Sequence, residues 1–144
     1  MEFYRVLRPG GRVGLSVWQG LDHHPFYQML HDVTRRHFGK SSVQAVFSLS
    51  DPEELRNLLT GSGFQHVEIE PRSITARFPN PEEFLAWEID VNPAETPAMH
   101  NLDTKAQQAI LVSVRQDMQA PMEEVAKNGQ VVLTYHAYIA HATK

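Results

Sequence analysis

M-E-F-Y-R-V-L-R-P-G-G-R-V-G-L-S-V-W, residues 1–18, is the stretch on which the reading of the whole chain turns. Glu2, Phe3, Val6 and Leu7 follow helical spacing. Pro9 has no N–H and a fixed φ, so the helix cannot run past it. Gly10 and Gly11 are expected to supply the positive-φ positions of a sharp reversal. Arg12 to Trp18 then reads as a short β-strand, apolar enough for a central place in a sheet. The opening helix lacks a start signal of its own and reads as the last turns of an element.

The bulk composition narrows the classes of function. The sequence has 144 residues, enough for one domain with a hydrophobic core. The formal net charge of -4 gives no electrostatic footing for nucleic acid or an anionic membrane surface. Without cysteine, disulfides, thiolate catalysis and cysteine-bound metal are excluded. No apolar run approaches the roughly 20 residues that span a bilayer. No charged-then-apolar leader is seen, so a cytoplasmic location is the expectation.

Further along, His23-His24-Pro25 leads into a helix with Phe26, Met29, Leu30 and Val33 on one face, and Gly39 as its cap. Residues 40–47 read as a short helical turn or an apolar loop. Ser50-Asp-Pro-Glu53 is a helix start of capping-box type, followed by a buried stripe of Leu55, Leu58 and Leu59. Residues 64–78 read as strand, with a break near Pro71. Asn80-Pro-Glu-Glu83 starts another helix, carrying Phe84, Leu85, Trp87 and Ile89. Residues 92–97 read as a loop. A long helix over 104–125 carries Ala106, Ile110, Leu111, Val114 and Met118 on one face, with Pro121 expected to kink or split it. Asn128-Gly129 marks a turn. Residues 130–142 form a strand with apolar atoms on both faces, which places it inside a sheet. Three or four strands and four or five helices make an α/β or α+β domain.

R-V-L-R-P-G-G-R-V-G-L-S-V-W resembles the class I S-adenosylmethionine-dependent methyltransferases, most closely the ubiquinone/menaquinone-biosynthesis type that acts on small molecules. In that family a helix ending in R-x-L-x-P-G-G feeds the fifth strand of a Rossmann-like sheet. S-L-S-D-P-E-E-L-R-N-L-L-T-G-S-G-F-Q-H-V-E-I-E is similar to the helix, G-F break and sixth strand that follow. V-V-L-T-Y-H-A-Y-I-A-H-A is similar to the seventh strand, which lies antiparallel between the other two. The resemblance implies a sheet order of 5-7-6 and a single domain over 1–144, with a helical insertion at 79–128. It also implies a C-terminal, substrate-side portion of such an enzyme. The family's Gly-rich cofactor loop has no counterpart, since Gly10-Gly11 and Gly61-Ser-Gly63 follow helices and not strands. The chain alone is therefore expected to be inactive and to bind no S-adenosylmethionine, the cofactor of the intact family. No catalytic or cofactor residue carries over. The truncation is read as a gene fragment, a split gene or a misassigned start.

In an open α/β sheet, ligands sit beyond the carboxyl ends of parallel strands. Here that place is Trp18 and the loop carrying His23 and His24. Trp18 is a candidate pocket wall, and His23 or His24 a candidate base or orienting group. Read blandly, Trp18 is core and the histidines a solvated cap. Phe47 and Trp87 complete the candidate substrate-binding set, the Trp87 helix acting as a lid or as plain packing. No histidine pair has metal-ligand spacing, so no metal is expected.

Two other readings stand beside the truncated enzyme. One is a non-catalytic binding or partner domain; the other is a small α+β ligand-binding protein. In either of the first two cases, the open strand edge at Arg12 to Trp18 argues for a homodimer or higher oligomer. The expected small-molecule partner is a methyl acceptor.

Overall fold

The computed structural model describes residues 2–39, 43–91, 99 and 101–144. It is a mixed α/β fold built on a four-stranded antiparallel sheet. The strands are β1 (Arg12–Trp18), β2 (Gln65–Phe78), β3 (Ala126–Lys127) and β4 (Gln130–Thr143). Their order is β1-β4-β2, with β3 folded back on β4. β4 runs antiparallel to both β1 and β2, which are therefore parallel to each other. First, last and second strand in that order is the arrangement expected from the sequence, and β4 lies inside the sheet as its two apolar faces require.

β1 departs from the central place its apolar residues suggest and takes the open edge expected at Arg12 to Trp18. It pairs with β4 alone among the described strands, so it is an edge and not a central strand. Its residues alternate between exposed and half-buried. The alternation is present in the sequence: Val13, Leu15 and Val17 share one face, while Arg12, Gly14 and Ser16 share the other. The apolar face meets Ala140 and Ala142 of β4. Over it lie Leu55, Leu59 and Phe64, together with Tyr4 and Leu7. Tyr4 comes from α1 (Glu2–Val6), and the two leucines from α4 (Pro52–Gly61).

A second core covers the opposite face at the far end of β4. Val131 and Leu133 lie under α2 (Pro25–Phe38), α5 (Pro81–Val91), α6 (Thr104–Asp117) and α7 (Gln119–Val125). Phe26, Leu30, Ile89, Val114 and Met118 are almost completely buried there. Each such side chain stabilises the fold by about 1.5–3 kcal/mol. A short α3 (Val43–Val46) closes one side through Val43. β4, about 45 Å long at 3.4 Å per residue, thus serves two cores on opposite faces.

Several local expectations are corrected. Gly10 has φ +77, but Gly11 does not share a positive φ. A Cβ on Gly11 would lie 2.8 Å from the Arg8 carbonyl oxygen, so close packing is its requirement. The α4 cap is Asp51 rather than Ser50; its carboxylate accepts from the N–H groups of Glu53 (2.8 Å) and Glu54 (3.4 Å). Leu58 is exposed, leaving Leu55 and Leu59 as the buried stripe. Pro71 breaks nothing: β2 is continuous through it, with Pro71 opposite Tyr138. β2 is an edge strand, where a missing N–H is tolerated. The long helix is split, as expected of Pro121: α6 ends at Asp117, four residues before the proline, and α7 starts at Gln119. Pro121 falls in the first turn of α7, where its N–H would lack a helical partner in any case. Trp87 is 59% exposed and lies outside the buried stripe. The strand β3 was not anticipated; Asn128 (φ 52) and Gly129 (φ 75) form the turn that pairs it with β4. Residues 40–42 and the loop expected at 92–97 lie outside the described residues.

Candidate functional site

The site lies at the carboxyl end of β1, where the chain leaves the sheet and exposes the edge of β4. Side chains take over the edge hydrogen bonds there. The Gln19 N–H donates to the His136 carbonyl at 3.0 Å, and Gln19 Nε2 donates to the Ala137 carbonyl at 3.2 Å. After a 3-10 turn at Leu21–His23, the imidazole of His24 receives the His136 N–H on Nε2 at 3.0 Å. A backbone N–H can only donate, so Nε2 carries no proton. The proton is on Nδ1, which donates to the Gly20 carbonyl at 2.9 Å. Burial pushes the His24 pKa below its ordinary value, outweighing the opposing pull of the Gly20 hydrogen bond. Both ring nitrogens are thus committed to backbone, and His24 has no nitrogen left to act as the base or orienting group the sequence suggested.

His24 packs behind the aromatic residues and, with His23, borders a neighbouring cavity. Its ring is 5.0 Å from that of Phe47 and 5.9 Å from that of Trp18, centroid to centroid. Trp18, Phe47 and Trp87, three of the five candidates, line one cleft of about 150 Å³ with Tyr27, Val43, Val46, Glu88 and Tyr135. Trp18 is 37% exposed, packed at 5.5 Å on Tyr135, and is not a core residue. His23 is elsewhere. It is exposed, 5.8 Å from His136, and borders a neighbouring open cavity of about 480 Å³ with Lys127 and Thr134.

The polar groups of the cleft were missed by the sequence reading. The Tyr27 hydroxyl donates to Glu88 Oε1 at 2.7 Å and stands 3.1 Å from the Tyr135 hydroxyl. Glu88 is 1% exposed. Burial raises the Tyr27 pKa well above that of a free phenol, and the charge of Glu88 raises it further. Burial also raises that of Tyr135. The available signal was Glu88 itself, four residues after Phe84 on the buried stripe of α5, where a carboxylate requires polar partners.

Two glycine-bearing turns are closely packed. A Cβ on Gly63 would meet the Tyr4 ring at 2.9 Å, and one on Gly11 the chain's own backbone. These glycines admit neighbouring protein atoms. Among the described residues, no three His, Asp or Glu side chains are grouped to hold a metal, and no helix is long and apolar enough to cross a membrane.

No family model and no curated protein matches the chain. Among solved structures it is similar to a candidate methyltransferase from Bacillus halodurans, with 17% identity and a TM-score of 0.43. The similarity covers 99% of this chain and 60% of that one, so the chain spans less than two thirds of the length of the protein it matches.

Proposed function

We propose that these residues form the acceptor-side portion of a class I S-adenosylmethionine-dependent small-molecule methyltransferase, with the acceptor seated in the cleft between Trp18, Phe47 and Trp87. The observation that carries the reading is the sheet: a last strand antiparallel to both neighbours and lying between the first and second, in a chain whose first strand follows an R-V-L-R-P-G-G turn. The cleft's position beyond the carboxyl end of β1 supports it, because that is where an open α/β sheet places its ligand.

On this reading the helical segment 79–128 is an insertion that brings Trp87 and Glu88 to the acceptor. The cofactor is held by elements other than these residues. Methyl transfer mainly requires an acceptor atom held in line and kept from water, and an aromatic-walled cleft suits that task. The test is calorimetric titration of the 144-residue chain with S-adenosylmethionine. The expected result is no saturable heat. Tight stoichiometric binding would show that the cofactor site is built from these residues and would overturn the proposal.

A further inference from the structure

The open cavity behind His24 is faced by two imidazoles that no hydrogen bond engages among the described residues. His23 ends the 3-10 turn after β1, and His136 lies on β4. Their ring centroids are 5.8 Å apart, with the planes tilted by 43°. His24 is equally close to His136, but backbone groups already occupy both of its nitrogens. Asp22 Oδ2 stands 3.6 Å from His23 Nε2, beyond hydrogen-bond range and close enough to bias the local field. Glu124 and Lys127 also line the cavity, so two carboxylates face one ammonium and leave one negative charge in excess. That sign suits a cation.

Neutral imidazole prefers zinc, nickel and copper over the hard ions magnesium and calcium. A metal bonded to one nitrogen of each ring at about 2.0–2.1 Å lies roughly 3.2 Å from each ring centre, and a tetrahedral angle then sets the centres about 5.2 Å apart. The observed 5.8 Å differs from that by about 0.6 Å, and the broad χ2 torsion of histidine lets each ring turn a nitrogen inward at little cost. We propose that His23 and His136 together ligate one divalent transition-metal ion, with water in the remaining positions and the Asp22 carboxylate beside it as countercharge. Two protein ligands make the site, and the cavity of about 480 Å³ has room for the ion's waters. The bound ion fastens the turn that leaves β1 to the middle of β4. The proposal is independent of the methyl-acceptor reading.

The test is calorimetric titration of the untagged, chelator-treated 144-residue chain with zinc, nickel, copper and magnesium chlorides. One ion per chain is expected, copper tighter than nickel or zinc, with no saturable heat from magnesium. His23→Gln and His136→Gln are each expected to weaken zinc at least about tenfold, the lower limit for losing even a group that only supports a ligand. His66 and His141 share a different cavity, so His66→Gln is expected to leave zinc affinity unchanged. The wild-type melting temperature should rise with zinc concentration, and that rise should shrink in both cavity variants. His23 is exposed, so His23→Gln tests the site without disturbing the core. Absence of saturable zinc binding overturns the inference. So does full zinc affinity in a folded His23→Gln, or a loss that follows His66→Gln instead. None of these outcomes bears on where S-adenosylmethionine is held, which its own titration decides.

Discussion

The imidazole Nε2 of His24 accepts the backbone N–H of His136 at 3.0 Å, joining residues 112 positions apart. The contact completes the β4 edge beyond the end of β1, and it also fixes the tautomer of a 2%-exposed ring. Replacing His24 by leucine leaves the His136 N–H without its partner, while the Gly20 carbonyl keeps the His23 N–H at 3.0 Å. At about 1–3 kcal/mol for a buried group left unpaired, a loss of that size in unfolding free energy is expected in urea titrations.

The same histidine predicts a pH dependence. Its folded pKa is lowered, so below its ordinary value of about 6.5 the unfolded chain binds the proton more readily than the native one. The stabilisation is complete above that value and is lost as pH falls from there through the folded pKa. Urea midpoints measured from pH 7.5 downward are expected to fall more steeply for wild type than for His24→Leu. Parallel curves for the two proteins would dissociate His24 from the acid loss.

Tyr27 supplies the opposite sign. Its pKa is raised, first by burial and then by Glu88, so the native state resists ionisation that the unfolded chain undergoes near pH 10. Its contribution is present below pH 10 and is lost as pH rises beyond it. Tyr27→Phe is expected to flatten the alkaline fall in stability. It also removes the donor to Glu88, so it should cost about 1–3 kcal/mol at neutral pH, read from denaturant unfolding.

What the sequence disclosed and what it hid divide along locality. Asn128-Gly129, Gly39 and the Asn80 cap are settled within a few residues, and their positions were readable. The R-V-L-R-P-G-G turn and the two-faced apolar pattern of β4 were enough for the strand order. Pro71 was misjudged because its tolerance depends on β2 being an edge, which only the whole sheet decides. Trp18, Phe47 and Trp87 were named from their chemistry and converge on one cleft. Glu88 was passed over because its partner Tyr27 is 61 positions away. The role of His24 was misassigned because the two groups that engage its nitrogens are main-chain atoms, which carry no sequence signature.

Lys144 ties the two ends of the described chain together. Its Nζ donates to the carbonyls of Tyr4 at 2.6 Å and Leu7 at 2.9 Å, and sits 4.5 Å above the Tyr4 ring. A cation at the C-terminal end of α1 meets carbonyls that lack helical partners and the negative end of the dipole. Lys144→Met keeps the aliphatic stem and removes the charge. A loss of about 1.5–3 kcal/mol is expected in thermal or urea unfolding, the range for hydrogen bonds to a charged group.

The outer edge of β1 is expected to mediate self-association. β1 has one partner among the described strands, and Phe3 and Val6 of α1 are 54% and 58% exposed. Open strand edges and apolar patches favour pairing with a second chain. Sedimentation equilibrium at micromolar concentration should give twice the 16.4 kDa chain mass. A monodisperse monomer would sink this expectation.

Gly10 and Gly11 are adjacent in the turn that orients β1, and the structure assigns them different tasks. Gly10 has φ +77 with nothing within 4 Å of a Cβ, so its constraint is conformational. Asparagine, which tolerates the left-handed region, should be accepted there better than valine, whose branched Cβ is not. At Gly11 a Cβ would lie 2.8 Å from the Arg8 carbonyl and 3.3 Å from Leu7 Cβ, and the first of these is a backbone atom. That carbonyl also accepts the Gly11 N–H at 2.8 Å, so it cannot retreat without loosening the turn. Gly11→Ala is therefore expected to cost about 1–3 kcal/mol, the usual range for overpacking. Gly10→Asn should cost less than Gly11→Ala, and Gly10→Val more than Gly10→Asn, in the same urea series. The opposite ranking of Gly10→Asn and Gly11→Ala would mean that backbone conformation, rather than the close approach at Gly11, holds the P-G-G reversal in place.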